Sequence, residues 1–226
     1  MQQRWLCVVS VILALWGCVS MDSAPGIVTL QTADGVRLGG YCYGQGNHGV
    51  VLVPGAHGIG ETWDAQARRL ARAGFRVIAI DYRGLGHSSG VRQDGDKAPL
   101  DVFAAVARLR AEGVEQISVV GASWGGWAAA KAAIAHPGVV DRMVLLAHTP
   151  ASDLNELTGR KLFIVAEDDR DGSGRLRLET IKEQYELTQG PKRLMIVEGS
   201  AHAQFLFLTR QGEQVLEEIV RFLSDP

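Results

Sequence analysis

A serine hydroxyl becomes a useful nucleophile only when a base takes its proton and the backbone holds it out toward a substrate. Gly121-Ala122-Ser123-Trp124-Gly125 has the makings of such a holder. The β-branched run Gln116-Ile117-Ser118-Val119-Val120 before it reads as a buried strand, and the alanine-rich run 124–135 after it reads as a helix. A chain that turns from strand to helix within about five residues strains its central residue, and the flanking positions must be small. Such a Gly-x-Ser-x-Gly elbow lifts the Ser123 hydroxyl clear of the strand end. The helix start then points free N–H groups and its positive dipole end at the same spot, the Trp124 N–H foremost. One turn thus supplies a nucleophile and half of an oxyanion hole, the parts needed for acyl transfer.

The rest of the chain must position this turn. Residues 27–32 read as a strand, Ala33-Asp34-Gly35 as a hairpin turn and residues 36–43 as the partner strand. Residues 50–53 form a fully apolar strand followed by a glycine-rich loop, and a helix is predicted over 62–73. A strand over 76–81, a helix from Pro99 to Gly113, the elbow strand and its helix come next. Strands over 142–146, 162–165 and 194–197, a helix over 176–187 and a closing helix marked by Val215, Ile219 and Phe222 complete the pattern. Strands and helices that alternate after an opening hairpin predict an α/β fold: a mostly parallel sheet of about eight strands, helices on both faces, and an antiparallel N-terminal hairpin. Loops at the C-terminal strand ends then gather along one edge.

With 226 residues, 46% of them hydrophobic, and a net charge of −2, the chain can bury a sizeable core. It carries no basic stripe for nucleic acid. The N-terminus reads as an export signal over 1–17: Arg4 supplies a positive start, and residues 5–16 are almost wholly apolar but too short to span a bilayer. The signal ends Leu15-Trp16-Gly17-Cys18, which resembles a bacterial lipobox, with Trp16 where a small residue is usual. Lipid attachment at Cys18 and membrane anchoring are the expectation, with cleavage near Ser20 or Ser23 as the alternative. A linker over 18–25 and one domain over 26–226 would follow. Loss of Cys7 with the signal and acylation of Cys18 would leave Cys42 as the one thiol, read as a buried strand residue.

Over residues 27–223 the chain resembles the α/β-hydrolase family, on four separated motifs. The elbow is one. Pro54-Gly55-Ala56 lies where members carry a His-Gly-x oxyanion loop, with proline in place of the histidine. Asp81-Tyr82-Arg83-Gly84-Leu85-Gly86-His87-Ser88 is similar to the D-x-R-G-x-G-x-S loop common in the family. Gly199-Ser200-Ala201-His202 is similar to the loop that holds the catalytic histidine, and Ala166-Glu167-Asp168-Asp169 stands where the acid loop reads G-x-x-D.

The resemblance implies a triad of Ser123, Asp169 and His202, with His202 as base and Asp169 fixing its tautomer. Asp168 and Asp171 share the acid loop and remain alternatives. It implies Ala56 as the second oxyanion donor beside Trp124, with His57-Gly58 as a competing register. Asp81 and Arg83 are expected to brace the neighbouring loop, and Trp63 and Trp127 to pack helix faces. His136 is expected at the surface, His148 in the pocket wall, and His57 and His87 in loop hydrogen bonds. No H-E-x-x-H, C-x-x-C or dinucleotide fingerprint appears, so no metal or cofactor is expected. Only about fifteen residues separate the strands at 142–146 and 162–165, too few for a helical cap. The expected function is hydrolysis of small or short-acyl carboxylic esters at an open site walled by loops near Ala56, His87 and His148. An acyltransferase with the same residues, and a non-catalytic scaffold lipoprotein on this fold, are the alternatives.

Overall fold

The computed structural model describes residues 24–225, so the signal, Cys7 and Cys18 lie outside the described residues. The chain opens with β1 (Gly26–Gln31) and β2 (Arg37–Tyr43), joined by a turn that Thr32 closes through its backbone and hydroxyl. There follow β3 (His48–Val53), α1 (Asp64–Arg72), β4 (Arg76–Ile80), α2 (Ala98–Ala111), β5 (Gln116–Ala122) and α3 (Trp124–Ala135). The last third contributes β6 (Arg142–Leu146), β7 (Arg160–Ala166), α4 (Arg177–Leu187), β8 (Lys192–Val197) and α5 (Gly212–Ser224). The strands form one eight-stranded sheet in the order β1-β2-β4-β3-β5-β6-β7-β8. β2 runs antiparallel to both neighbours, and every other pairing is parallel.

This order decides where a ligand can sit. From β3 the chain moves one way to β4, then back past β3 to β5 and onward to β8. Right-handed crossovers that travel in opposite directions put their helices on opposite faces. Accordingly α1 packs on β4 and β2, while α2 and α3 pack on each other and on β3. α5 belongs to the α1 face, since the segment before it brings Phe207 to 5.9 Å from Trp63, ring to ring. Helices on both faces bury the central strands past their first residues, which is why β3, β6 and β7 continue as apolar runs without alternation. β3 and β5 are neighbours at the point where the direction of travel reverses. Loops leaving their C-terminal ends diverge there and open a crevice.

The main departures from the sequence pattern are short 3-10 segments. Gly60–Trp63 precedes α1, so the α-helix starts at Asp64 instead of Thr62. Arg92–Lys97 and Ala203–Leu208 lie in stretches with no helical periodicity, where i→i+3 bonds need only three or four residues. Cys42 is half-buried on β2, a more open position than the buried strand thiol expected. Residues 147–159, between β6 and β7, hold a single 3-10 turn, Leu154–Glu156, and no cap. Among the described residues no helix is long and apolar enough to cross a membrane.

Candidate active site

Ser123 follows β5 directly and has φ 52° and ψ −118°, a region that non-glycine residues avoid. The surroundings hold it there. Its N–H donates to the Leu146 carbonyl at 2.8 Å, and its carbonyl accepts from Thr149 N–H at 2.9 Å and Gly126 N–H at 3.0 Å. The two motif glycines are required by space. A Cβ on Gly125 would lie 2.3 Å from the Pro54 carbonyl oxygen, and one on Gly121 would lie 2.7 Å from the Gly125 carbonyl oxygen and Gly126 Cα. The elbow is therefore pressed against the end of β3, and the same contact sets the oxyanion loop beside the serine. A Cβ on Gly55 would stand 3.8 Å from Ser123 Cβ.

His202 arrives from the loop after β8. Its Nε2 is 2.8 Å from Ser123 Oγ and its Nδ1 is 2.7 Å from Asp169 Oδ2. Asp169 is 1% exposed, just past the C-terminal end of β7, and its other carboxylate oxygen lies 3.5 Å from Arg177 Nε. The two remaining candidates for the acid are elsewhere. Asp168 is exposed, its N–H bonded to the Gly199 carbonyl. Asp171 closes its own loop, accepting from the N–H and hydroxyl of Ser173 and the N–H of Arg175, and the Ser173 bonds hold its carboxyl below the usual range. Of the acids expected in this loop, the structure brings only Asp169 to His202.

Among the described residues, neither the Ala56 nor the Trp124 N–H has an acceptor within the chain. In the competing register, the Gly58 N–H is bonded to the Gly55 carbonyl at 2.9 Å. Two residues that tie the site together carried no sequence signal. Gln204 accepts from Gly55 N–H at 3.3 Å and donates to Thr62 Oγ1 at 3.1 Å, fastening the histidine loop to the oxyanion loop. Arg177 donates its N–H to the Asp169 carbonyl at 2.8 Å. Neither belongs to a motif, and only proximity in the fold singles them out.

A cleft of about 600 Å³ opens at Ser123 and His202, walled by the 55–58 loop and by Gln204, Phe205 and Leu208. His87 and His148 are not among its walls, contrary to the sequence expectation. His148 is 1% exposed and packs edge-on to Phe163, so it sits beneath the site. His87 is held aside because Asp81 accepts its N–H. The Asp81 loop is a brace, as expected. Asp81 is fully buried and also accepts from Gly60 N–H at 2.7 Å, while Arg83, 2% exposed, bonds Asp101 and Asp34. The guanidinium and Thr32 hold the Asp34 carboxyl down to about 2.

Residues 50–168 match the family model for the alpha/beta hydrolase fold. The chain belongs to the α/β-hydrolase family. It is 36% identical over 115 residues to the human serine hydrolase BPHL, covering 50% of this chain and 40% of that protein. It is 33% identical over 133 residues to a 2-hydroxy-6-oxononadienedioate/2-hydroxy-6-oxononatrienedioate hydrolase of Paraburkholderia xenovorans, covering 57% and 46%. The chain thus spans under half the length of these relatives. Its fold is that of a Pyrococcus furiosus esterase, with a TM-score of 0.76 at 19% identity over 90% of this chain and 92% of the other.

Proposed function

We propose that the protein is a serine hydrolase acting on carboxylic esters of small or short acyl groups. The carrying observation is the continuous run of hydrogen bonds from Ser123 Oγ through His202 to the buried Asp169. In this reading Ser123 Oγ bonds to the acyl carbon as its proton passes to His202 Nε2. The developing oxyanion takes hydrogen bonds from the Ala56 and Trp124 N–H groups. The C–O bond then breaks, the proton moves to the departing oxygen, and an alcohol leaves. Water repeats the sequence on the acyl-enzyme, releases the acid and restores Ser123. Asp169 orients the imidazole and stabilises its charged form.

Short acyl groups are favoured because little surrounds a long one. The large cleft gives no shelter to an acyl chain that outgrows the space beside the elbow: its walls Phe205 and Leu208 remain 65% and 81% exposed, so a chain reaching them stays wet on one side. It gains well under the ~0.8 kcal/mol that full burial of a methylene gives. A panel of chromogenic esters of graded acyl length, read with the wild type and Ser123→Ala, tests both parts. The expected result is Ser123-dependent hydrolysis that stops improving after a few carbons. Unchanged hydrolysis by Ser123→Ala would refute the nucleophile, and a steady rise to long chains or a jump above the micelle threshold would refute the open site.

We further propose that the chain is exported and anchored through lipid on Cys18. β1, which the linker would enter, is an edge strand with three strands between it and β5, so such an anchor would join the molecule away from the elbow. The mass of the mature N-terminus decides it: Cys18 absent, or present without lipid, rules the anchor out.

A further inference from the structure

Beside the elbow lies a second, smaller recess of about 120 Å³, bounded by Ala56, Tyr82, Leu85, Arg92, Gly95 and Trp124. Tyr82 and Trp124 form one wall, with ring centroids 4.8 Å apart. The Arg92–Lys97 segment forms the opposite rim, so close that a Cβ on Gly95 would stand 3.2 Å from Trp124 Cζ2. Ala56 and Trp124 carry the proposed oxyanion donors, so a carbonyl attacked by Ser123 sits at the mouth of this recess.

One charged group at its rim has no counter-charge, while the Tyr82 hydroxyl is buried out of reach of the recess. The Arg92 guanidinium touches the Ala56 carbonyl at 3.4 Å and His57 Nδ1, and no carboxylate pairs with it among the described residues. Arg83, also in the wall, is by contrast paired with Asp34 and Asp101.

The chemistry of cleavage assigns the halves of an ester to the two spaces. The departing oxygen receives its proton from His202, so the alcohol half lies on the His202 side, in the larger cleft. The acyl half points the other way, toward Trp124. A volume of 120 Å³ is roughly that of four liquid waters, enough for a tail of a few carbons. An apolar tail would make no use of Arg92. A tail ending in a carboxylate would supply the counter-charge it lacks.

We propose that this recess is the acyl subsite and that it selects half-esters of short dicarboxylic acids, whose free carboxylate is bound by Arg92. The proposal rests on the serine-hydrolase reading and goes beyond it by naming the substrate class. Benzyl butyrate and benzyl hemisuccinate test it, because they share a four-carbon acyl group and a leaving alcohol and differ in the terminal carboxylate. For the full chain, kcat/KM on the hemisuccinate should exceed that on the butyrate by about tenfold at low salt, the discrimination one charge-assisted hydrogen bond supplies. Salt should narrow the gap. Arg92→Gln should bring the ratio close to one, chiefly through KM. A butyrate cleaved as well as the hemisuccinate, or a ratio that Arg92→Gln does not move, overturns the proposal and leaves the hydrolase reading standing. If neither ester is cleaved the proposal also falls, and labelling of Ser123 by a fluorophosphonate then decides whether the hydrolase reading falls with it.

Discussion

Two polar clusters lie at the same sheet edge, one after β4 and one after β5, and they are built on opposite terms. Around Arg83 the charges are paired: the guanidinium bonds two carboxylates, Asp101 also accepts the Arg83 N–H at 3.0 Å, and Asp81 accepts two further backbone N–H groups. Around Ser123 the backbone is strained, two N–H groups have no acceptor among the described residues and a partly exposed histidine bridges a hydroxyl and a buried carboxylate. Buried polar groups that are fully answered hold structure in place. Groups left unanswered are available to a ligand. Both clusters are anchored on buried aspartates, and the state of their partners tells them apart.

If that contrast is right, substitutions at the two clusters should fail in different assays. Ser123→Ala and His202→Ala should each cost about 10⁵-fold or more in kcat with the melting temperature little changed, and the double variant should be no worse than either alone, since the group acts as a unit. Steady-state rates beside a thermal scan check this. A loss confined to stability would make the Ser123 cluster structural. Asp169→Asn should follow with about 10⁴-fold in kcat, because the amide favours the wrong imidazole tautomer. Asp168→Asn and Asp171→Asn should leave turnover within a few-fold, as neither carboxylate reaches His202.

The brace should behave in reverse. Arg83→Ala strands the fully buried Asp101 carboxylate, and breaking such a pair typically costs about 3–5 kcal/mol. Urea unfolding should show that loss, while the folded fraction should keep kcat within a few-fold. A large drop in kcat with stability intact would move Arg83 into the catalytic machinery.

Much of this was legible because the elbow, the D-x-R-G-x-G-x-S loop and the two late loops are set by local sterics that leave local signatures. Gly125 is glycine because Pro54 and Val53 carbonyls leave no room for a Cβ, and Gly86 because its Cβ would meet Asp81 Oδ2 at 2.2 Å. The parallel strands were legible from unbroken apolar runs. What stayed hidden depends on contacts between distant segments. Gln204 to Gly55 joins residues far apart in sequence, and nothing near Gln204 hints at it. Arg92 gains meaning only when its short 3-10 segment is folded over Trp124, and that segment has no periodicity to read. His148 is expected in the pocket wall, but the Ala147 φ of 42° turns the chain there and the ring ends buried against Phe163.

That buried ring gives a smaller, pH-dependent effect. Burial lowers the His148 pKa to about 4, and neither ring nitrogen has a well-formed hydrogen bond among the described residues. In the unfolded chain the imidazole titrates near its ordinary value of about 6.5. As pH falls the unfolded state therefore takes up the proton first, and stability is lost between about pH 6.5 and pH 4, then levels for this residue. His48, also lowered to about 4 by burial, adds to the same window. The urea midpoint of the wild type should fall across that range, and His148→Leu should show a shallower fall. An equal slope in both would mean that His148 does not titrate there.

The smallest expected effect separates strain from function at a single atom. Ser123 sits at φ 52°, ψ −118°, angles that cost a side chain of order 1–3 kcal/mol and cost glycine little. Ser123→Gly removes that strain, but it also frees the unfolded chain, which offsets up to about 1 kcal/mol of the gain. The balance should favour the variant by about 1 kcal/mol, read as a rise of a few degrees in melting temperature, while hydrolysis disappears. Ser123→Ala keeps the Cβ and the strain, so it should lose hydrolysis without that rise. Two inactive variants that differ in stability would show that the elbow, unlike the Arg83 brace, gives up stability to hold its hydroxyl in place. Equal melting temperatures for both would mean that the neighbouring contacts to Leu146 and Thr149 have absorbed the strain, and that the site is no less settled than the brace.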